Sequence, residues 1–292
     1  MLRPGDTGSL TRWLLASDIP GGLATTSSAN PGKYSPRMTR VDARPRRARS
    51  PGTPSSCPPH LVTLHVWGVP ASRIPLALGR MAKDRQLLRR QPATFTKLLG
   101  TGSGRTFRVR DADLRHWALL ATWADDASAA AFDNSPTARG WRQIADEQLA
   151  VHMAPVRSRG LWSRRAPFGP AGHGPSRDTK PSTDAEPVAS ITRARIRPTK
   201  IRTFWRAVPP VSRDLHSVDG LRLAIGIGEA PLGLQGTFSL WRDADALTAF
   251  AHGREAHRTV IRRTTREDWY AEELFARFRV LSVRGTYRGR TP

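Results

Sequence analysis

Apolar and polar positions along the chain fall into two series that repeat each other. In the first, hydrophobic residues alternate over Leu61–Val69, and a helical spacing follows over Ala71–Arg90. A strand ending in Gly-x-Gly comes next (Phe95–Gly102), then a strand ending in tryptophan (Trp117–Trp123). Asp125 and Asp126 open a second helix, and Leu149–Pro155 reads as the closing strand. The second series runs in the same order: Val188–Ile196, a helical stretch over Thr199–Leu215, Leu221–Gly228, Gly236–Trp241, a helix opened by Asp243 and Asp245, and Phe275–Val283. Trp123, Phe132 and Ala138 recur at one constant spacing as Trp241, Phe250 and Ala256. Strand–helix–strand–strand–helix–strand is the ferredoxin-like plan. The expected fold class is therefore α+β, with two tandem ferredoxin-like units forming an intramolecular α+β barrel.

Residues 1–58 are rich in Pro, Ser, Gly and Arg without a sustained apolar period, and are expected to be a disordered basic tail; Met38 is a candidate true start. Residues 166–186 cluster Pro, Gly, Ser and charge and read as a linker. The expected organisation is thus tail 1–58, first repeat 59–165, linker 166–186 and second repeat 187–292. The formal charge of +23 favours acidic partners: a nucleic acid, an anionic membrane surface or an acidic protein. One cysteine, Cys57, lies in the tail, which excludes a disulfide framework, a zinc ribbon or a cysteine-ligated iron–sulfur cluster within one chain. No apolar run has the length of a membrane span, so the expected location is cytoplasmic.

Few residues suggest chemistry by spacing alone. Gly-Thr-Gly-Ser-Gly (100–104) lacks the dinucleotide fingerprint and the helix that should follow it, and Gly-Ile-Gly sits at the same place in the second repeat; a shared turn is expected. Glu272 and Glu273 precede an apolar stretch, where a solvated or helix-terminal role is ordinary. His65, His116 and His152 fall in or beside strands and read as structural. His257 differs, because Phe250, Val260 and Ile261 share its helical face. An imidazole on such a stripe is either a core residue bonded to a carbonyl or a ligand in a water-poor pocket. The first repeat has Arg139 at the equivalent position, so the copies diverge there.

Long collinear stretches carry a family resemblance. Thr-Arg-Ala-Arg-Ile-Arg-Pro-Thr-Lys-Ile-Arg-Thr-Phe-Trp-Arg-Ala-Val-Pro (192–209), Ala-Ile-Gly-Ile-Gly-Glu-Ala-Pro-Leu (224–232), Thr-Phe-Ser-Leu-Trp (237–241) and Trp-Tyr-Ala-Glu-Glu-Leu-Phe-Ala-Arg-Phe-Arg-Val-Leu (269–281) resemble the spheroidene monooxygenase family. So do Lys-Leu-Leu-Gly-Thr-Gly-Ser-Gly (97–104) and Arg-Gly-Leu-Trp-Ser-Arg-Arg-Ala-Pro-Phe (159–168). The resemblance implies oxidation of acyclic carotenoids at C-2 to a hydroxyl and then a ketone, with haem iron as cofactor and electrons from a ferredoxin. The Ala-His pair at 256–257 is similar to the haem-ligand helix of haem-degrading and related α+β barrels, which implies His257 as the proximal iron ligand. Arg139 and Arg254 become candidate partners of the haem propionates, a solvated face being the alternative for each. Phe204 and Trp205 are candidate pocket or core residues. Implied partners are a ferredoxin-like electron donor and a lipophilic substrate met at the inner-membrane surface. Two other readings stay open: a haem carrier, sensor or haem-degrading barrel, and a basic nucleic-acid binder. The last lacks an RNP-like motif, and no nucleic acid is expected.

Overall fold

In the computed structural model the described residues are 59, 61–103, 111–169, 186–200, 218–229, 236–253 and 269–292. The expected tail, Phe204, Trp205, most of the linker and most of the helical stretch Thr199–Leu215 lie outside them. Among them the alternating stretches form strands: β1 (Leu61–Gly68), β2 (Phe95–Gly102), β3 (Ala112–Trp123) and β4 (Glu147–Gly160) in the first half. In the second half they are β5 (Val188–Ile196), β6 (Leu221–Gly228), β7 (Gly236–Trp241) and β8 (Tyr270–Gly285). The helices are α1 (Ile74–Leu88), α2 (Asp126–Asp133), α3 (Pro136–Ile144) and α4 (Ala244–Gly253). None of these is long and apolar enough to cross a membrane.

Helix entry follows the aspartates. The Asp125 carboxylate accepts from the Ser128 N–H at 2.7 Å, and Asp243 accepts from Ala246 in the same way at 2.7 Å. Each bond satisfies an N–H that the helix itself leaves open, typically contributing about 1 kcal/mol. Ser135 caps α3 through Ala138, with Pro136 following in the first turn.

The strands close into a barrel in the order β1-β3-β2-β6-β7-β5-β8-β4, with antiparallel pairing throughout. This is the α+β barrel expected from the duplication. Two seams join the halves: a long one between β4 and β8, and a short one where Gly100, Thr101 and Gly102 face Gly228, Ile227 and Gly226. The two Gly-x-Gly segments are therefore not turns, as their composition suggested, but strand residues whose backbones form a ladder across the repeat boundary. Glu272 and Glu273 are likewise inside β8 rather than ahead of it.

Alternation along each strand separates two cores. Val62, Leu64 and Val66, Leu149, Val151 and Met153, Ile225 and Ile227, and Leu274, Ala276 and Phe278 fill the barrel interior. The outward residues of the first half, including Trp67, Trp117, Leu119 and Trp123, pack beneath α1, α2 and α3 with Phe132 and Trp141. Among the described residues of the second half the corresponding cluster is Trp241, Ala246 and Leu247, with Val188, Val218, Leu221 and Phe250 against them.

Candidate functional site

Both ends of the barrel are closed by the segment that follows a repeat's last strand. After β4 the chain turns through Gly160, and after β8 through Gly285, both with φ near +90°. A side chain at either would place Cβ 2.1 Å from a carbonyl oxygen, of Glu273 or of Gln148, so only glycine fits. Trp162 and Tyr287, at equivalent places, then enter the interior core. The turn beyond Trp162 presents the N–H groups of Ser163 and Arg164 to the Glu272 carboxylate at 3.0 and 2.8 Å. The turn beyond Tyr287 presents those of Arg288 and Gly289 to Glu147 at 2.9 and 2.7 Å. Each repeat thus holds the other's closing turn with one carboxylate. The signal was present in the sequence as Arg-Gly-x-aromatic at 159–162 and 284–287, but neither glutamate stands near its turn in sequence.

Around Tyr287 the contacts are polar. His116 bonds Asp113 at 2.8 Å through Nδ1 and Glu147 at 3.0 Å through Nε2, while Arg288 reaches Asp113 at 2.7 Å. A cleft of about 510 Å³ opens here, lined by Gly68, Asp113, His116, Glu147 and Arg288 among others. Burial works to raise the Asp113 carboxyl, but hydrogen bonds from His116 and Arg288 outweigh it and hold it well below the usual carboxylate range. For Glu147 burial is likewise outweighed, by the Gly289 N–H, His116, Thr286 and the Arg288 N–H, and the pKa falls to about 2. Burial acts to lower His116, and its two carboxylate bonds raise it instead. With a carboxylate at each ring nitrogen, protonated His116 clamps Asp113 to Glu147, in line with its expected structural role. No cluster of three or more His, Cys, Asp or Glu arranged to hold a metal ion occurs among the described residues.

These shifts give a signed prediction. The Glu147 contribution to stability is complete above its ordinary pKa of 4.5 and is lost as pH falls through about 2; that of His116 is complete below 6.5 and is lost as pH rises through its elevated value. Glu147→Gln should therefore lower the thermal midpoint most between pH 4.5 and 6.5. The deficit there should correspond to about 2 kcal/mol, as for loss of a charged hydrogen-bonded group, and should shrink toward pH 2. A pH-independent difference would mean that Glu147 acts through packing alone.

At the opposite end the closing cluster is ionic. Arg193 is 3% exposed and donates to Glu272 at 2.5 Å and to Glu229 at 2.9 Å. Lys97 and the Trp162 indole also reach Glu229, at 2.6 and 2.7 Å. The guanidinium of Arg193 lies 5.2 Å from the Trp162 ring centre, in cation–π range.

Between these ends, the two halves differ most on their outer faces. Ladder positions that correspond by pairing register are large in the first repeat and small in the second: Trp67 corresponds to Ala194, His65 to Thr192, Leu119 to Thr237 and Leu98 to Gly226. In the first repeat the space above this face is filled by Trp141, stacked on Trp67 with centroids 5.3 Å apart and 6.1 Å from Trp117. At the repeat spacing, Trp141 corresponds to Thr259 and Arg139 to His257.

The sequence-predicted ligands are not brought together within the described part. Arg139 is exposed on α3, on the turn bearing Trp141. His257 and Arg254, like Thr259, lie outside the described residues. The structure does supply what periodicity could not: the outer face of the half containing His257 carries small side chains where the other half is packed with tryptophan.

No family model matches the chain. It is 38% identical over 223 residues to spheroidene monooxygenase of Rhodobacter capsulatus, covering 76% of this chain and 90% of that one. It is 33% identical over 218 residues to spheroidene monooxygenase of Cereibacter sphaeroides, covering 74% of this chain and 64% of that longer one. Among solved structures it is similar to an aldoxime dehydratase, with a TM-score of 0.50, 12% identity and coverage of 80% and 88% of the two chains; at that identity the likeness speaks for the fold alone. Together with the collinear motifs along both repeats, 38% identity to a relative covered over 90% of its length decides the assignment: the chain belongs to the spheroidene monooxygenase family.

Proposed function

We propose that the chain is a haem-dependent monooxygenase that oxidises an acyclic carotenoid-like hydrocarbon at an unactivated C–H bond, first to an alcohol and then to a ketone. The relatives' name supports the reaction class and the carotenoid substrate. The observation that carries the haem assignment is the divergence of the two outer sheet faces. Where the first repeat has Trp67, His65, Leu119 and Leu98, the second has the smaller Ala194, Thr192, Thr237 and Gly226, a difference that supports a flat group over that half. That half also carries His257. A histidine and an arginine on that half are the residue types that ligate haem iron and pair with a propionate, which supports the reading.

His257 would hold the iron through a neutral imidazole, and Arg254 would pair with a propionate. Arg139, the other candidate propionate partner, lies on α3 in the first repeat. Bound haem would supply activation of O₂, with electrons delivered by a ferredoxin-like donor. The protein's part is exclusion of water and alignment of the chain to be oxidised. Ser190, with its hydroxyl 2.8 Å from that of Ser239, and the outward Thr237 give this face small polar groups.

The test is reconstitution of the full chain with haem, then incubation with an acyclic carotenoid, ferredoxin, reductant and O₂. A stoichiometric Soret band and an oxygenated product are expected. Absence of haem binding would overturn the reading. Stable haem without product would leave a carrier or sensor, and consumption of the haem itself would leave a haem-degrading barrel.

A further inference from the structure

We propose that α1 is a membrane-docking surface, in which Leu76 and Leu78 enter an anionic phospholipid bilayer and the cations of the last two turns bind its headgroups. Large apolar side chains are exposed at four places among the described residues, and two of them share this helix: Leu76 is 57% exposed and Leu78 39%. Ala77, Met81, Asp84 and Leu88 make the inward face. The outward half therefore begins with Pro75, Leu76, Leu78, Gly79 and Ala82 and continues with Lys83, Arg85, Arg89 and Arg90, all exposed. Apart from Arg73 at the cap and Arg80, which pairs with Asp84, the cations follow the apolar groups along the helix axis.

The charge on this surface has one sign. Asp84 is the only acidic residue of α1, and its side chain is 1% exposed and paired with Arg80 at 3.1 Å. Arg85 donates to the Glu229 carbonyl, a contact that keeps its positive charge at the surface. Like-charged occupants are disfavoured: the N-terminal residues, the stretch 254–266 and a second copy of this +23 chain are all basic. An RNA would account for the cations but not for two exposed leucines, and α1 has no aromatic residue on which a base could stack. An anionic bilayer satisfies both features, because apolar side chains reach the acyl boundary while long Lys and Arg side chains extend to phosphate.

The proposal deepens the preceding reading by saying where a lipid-dissolved substrate is met. Vesicle binding is measured without haem or turnover, so either can fail alone. The experiment is sedimentation of the full chain with vesicles of phosphatidylcholine, with or without phosphatidylglycerol. Binding should require the anionic lipid and weaken with salt. Leu76→Ser with Leu78→Ser should lower it roughly tenfold while lowering the thermal midpoint only slightly, since both side chains are more than a third exposed. Because the basic N-terminal residues could bind anionic vesicles by themselves, location is read separately. A fluorophore on Leu76→Cys in a Cys57→Ser background should be quenched by brominated lipid, and one on Asp219→Cys, 91% exposed in the other repeat, should not. Vesicle binding with the 76 label unquenched, or equal binding by the leucine variant, overturns the proposal. So does retention by RNA or by an acidic protein without retention by vesicles.

Discussion

Reconstituted with haem beside the unaltered chain, His257→Ala should lose the Soret band at stoichiometric haem, its affinity falling by more than about a hundredfold. Changes in the outer shell of such sites already cost 10–100-fold, and removal of an iron ligand costs more. Added imidazole should restore a band in this variant, which a histidine serving only to pack a core would not allow. Arg254→Ala should weaken binding by roughly tenfold or somewhat more, the loss of one charge-assisted hydrogen bond. Arg139→Ala, on an exposed turn of α3 in the repeat whose face is filled by Trp67 and Trp141, should keep both band and affinity. An unchanged spectrum for His257→Ala would retain haem and remove the ligand. Loss of the band in Arg139→Ala would require both repeats to contribute to one site.

Replacing Arg193 by leucine should destabilise the barrel by about 3–5 kcal/mol, the range found when one partner of a buried ion pair is removed. The reason is what remains. Glu272 and Glu229 would keep their charges at the barrel mouth, the former with a side chain only 7% exposed. At present burial acts to raise both carboxyls; hydrogen bonds from the Arg164 and Ser163 N–H groups and from Arg193 hold Glu272 below its ordinary value, and Lys97 with Trp162 does the same for Glu229. The added variants Glu229→Gln and Glu272→Gln should recover much of the loss in the leucine background, because the cost lies in stranded charge rather than in missing attraction. Denaturant unfolding of the single and combined variants decides it. A single-variant cost below about 1 kcal/mol would mean that water reaches the cluster and the pair behaves as an exposed one.

The fold was legible because both of its periods are written twice. Alternation at Leu61–Gly68 and Val188–Ile196, and aspartates at the heads of α2 and α4, survive in both copies, and tryptophan marks the end of β3 and β7. The Gly-x-Gly segments end strands, as the alternation indicates, rather than forming the shared turn that Gly-Thr-Gly-Ser-Gly suggests, because glycine in a strand leaves the same signal as glycine in a loop. Here it marks where two backbones meet across the repeat seam. Arg193 and Glu272 were obscure for another reason. Each occupies an inward position of a strand, where composition argues against a charge, and their pairing depends on the β5–β8 register. The divergence of the two outer faces was half visible, in His257 against Arg139. The other half, the replacement of Trp67 and Leu98 by Ala194 and Gly226, appears only once the ladders align the copies.

The exchange of closing turns has a consequence for how the chain can be cut and joined. Tyr287 lies 4.8 Å from His116, and its turn is held by Glu147, so the end of the second repeat finishes the barrel end built by the first. Trp162 and its turn do the converse with Glu229 and Glu272. A peptide-bond break between 170 and 185 would leave two fragments interlocked rather than two free domains, as in a swapped dimer. New termini placed there, with the old ones joined, would trade the order of the repeats without changing which carboxylate latches which turn.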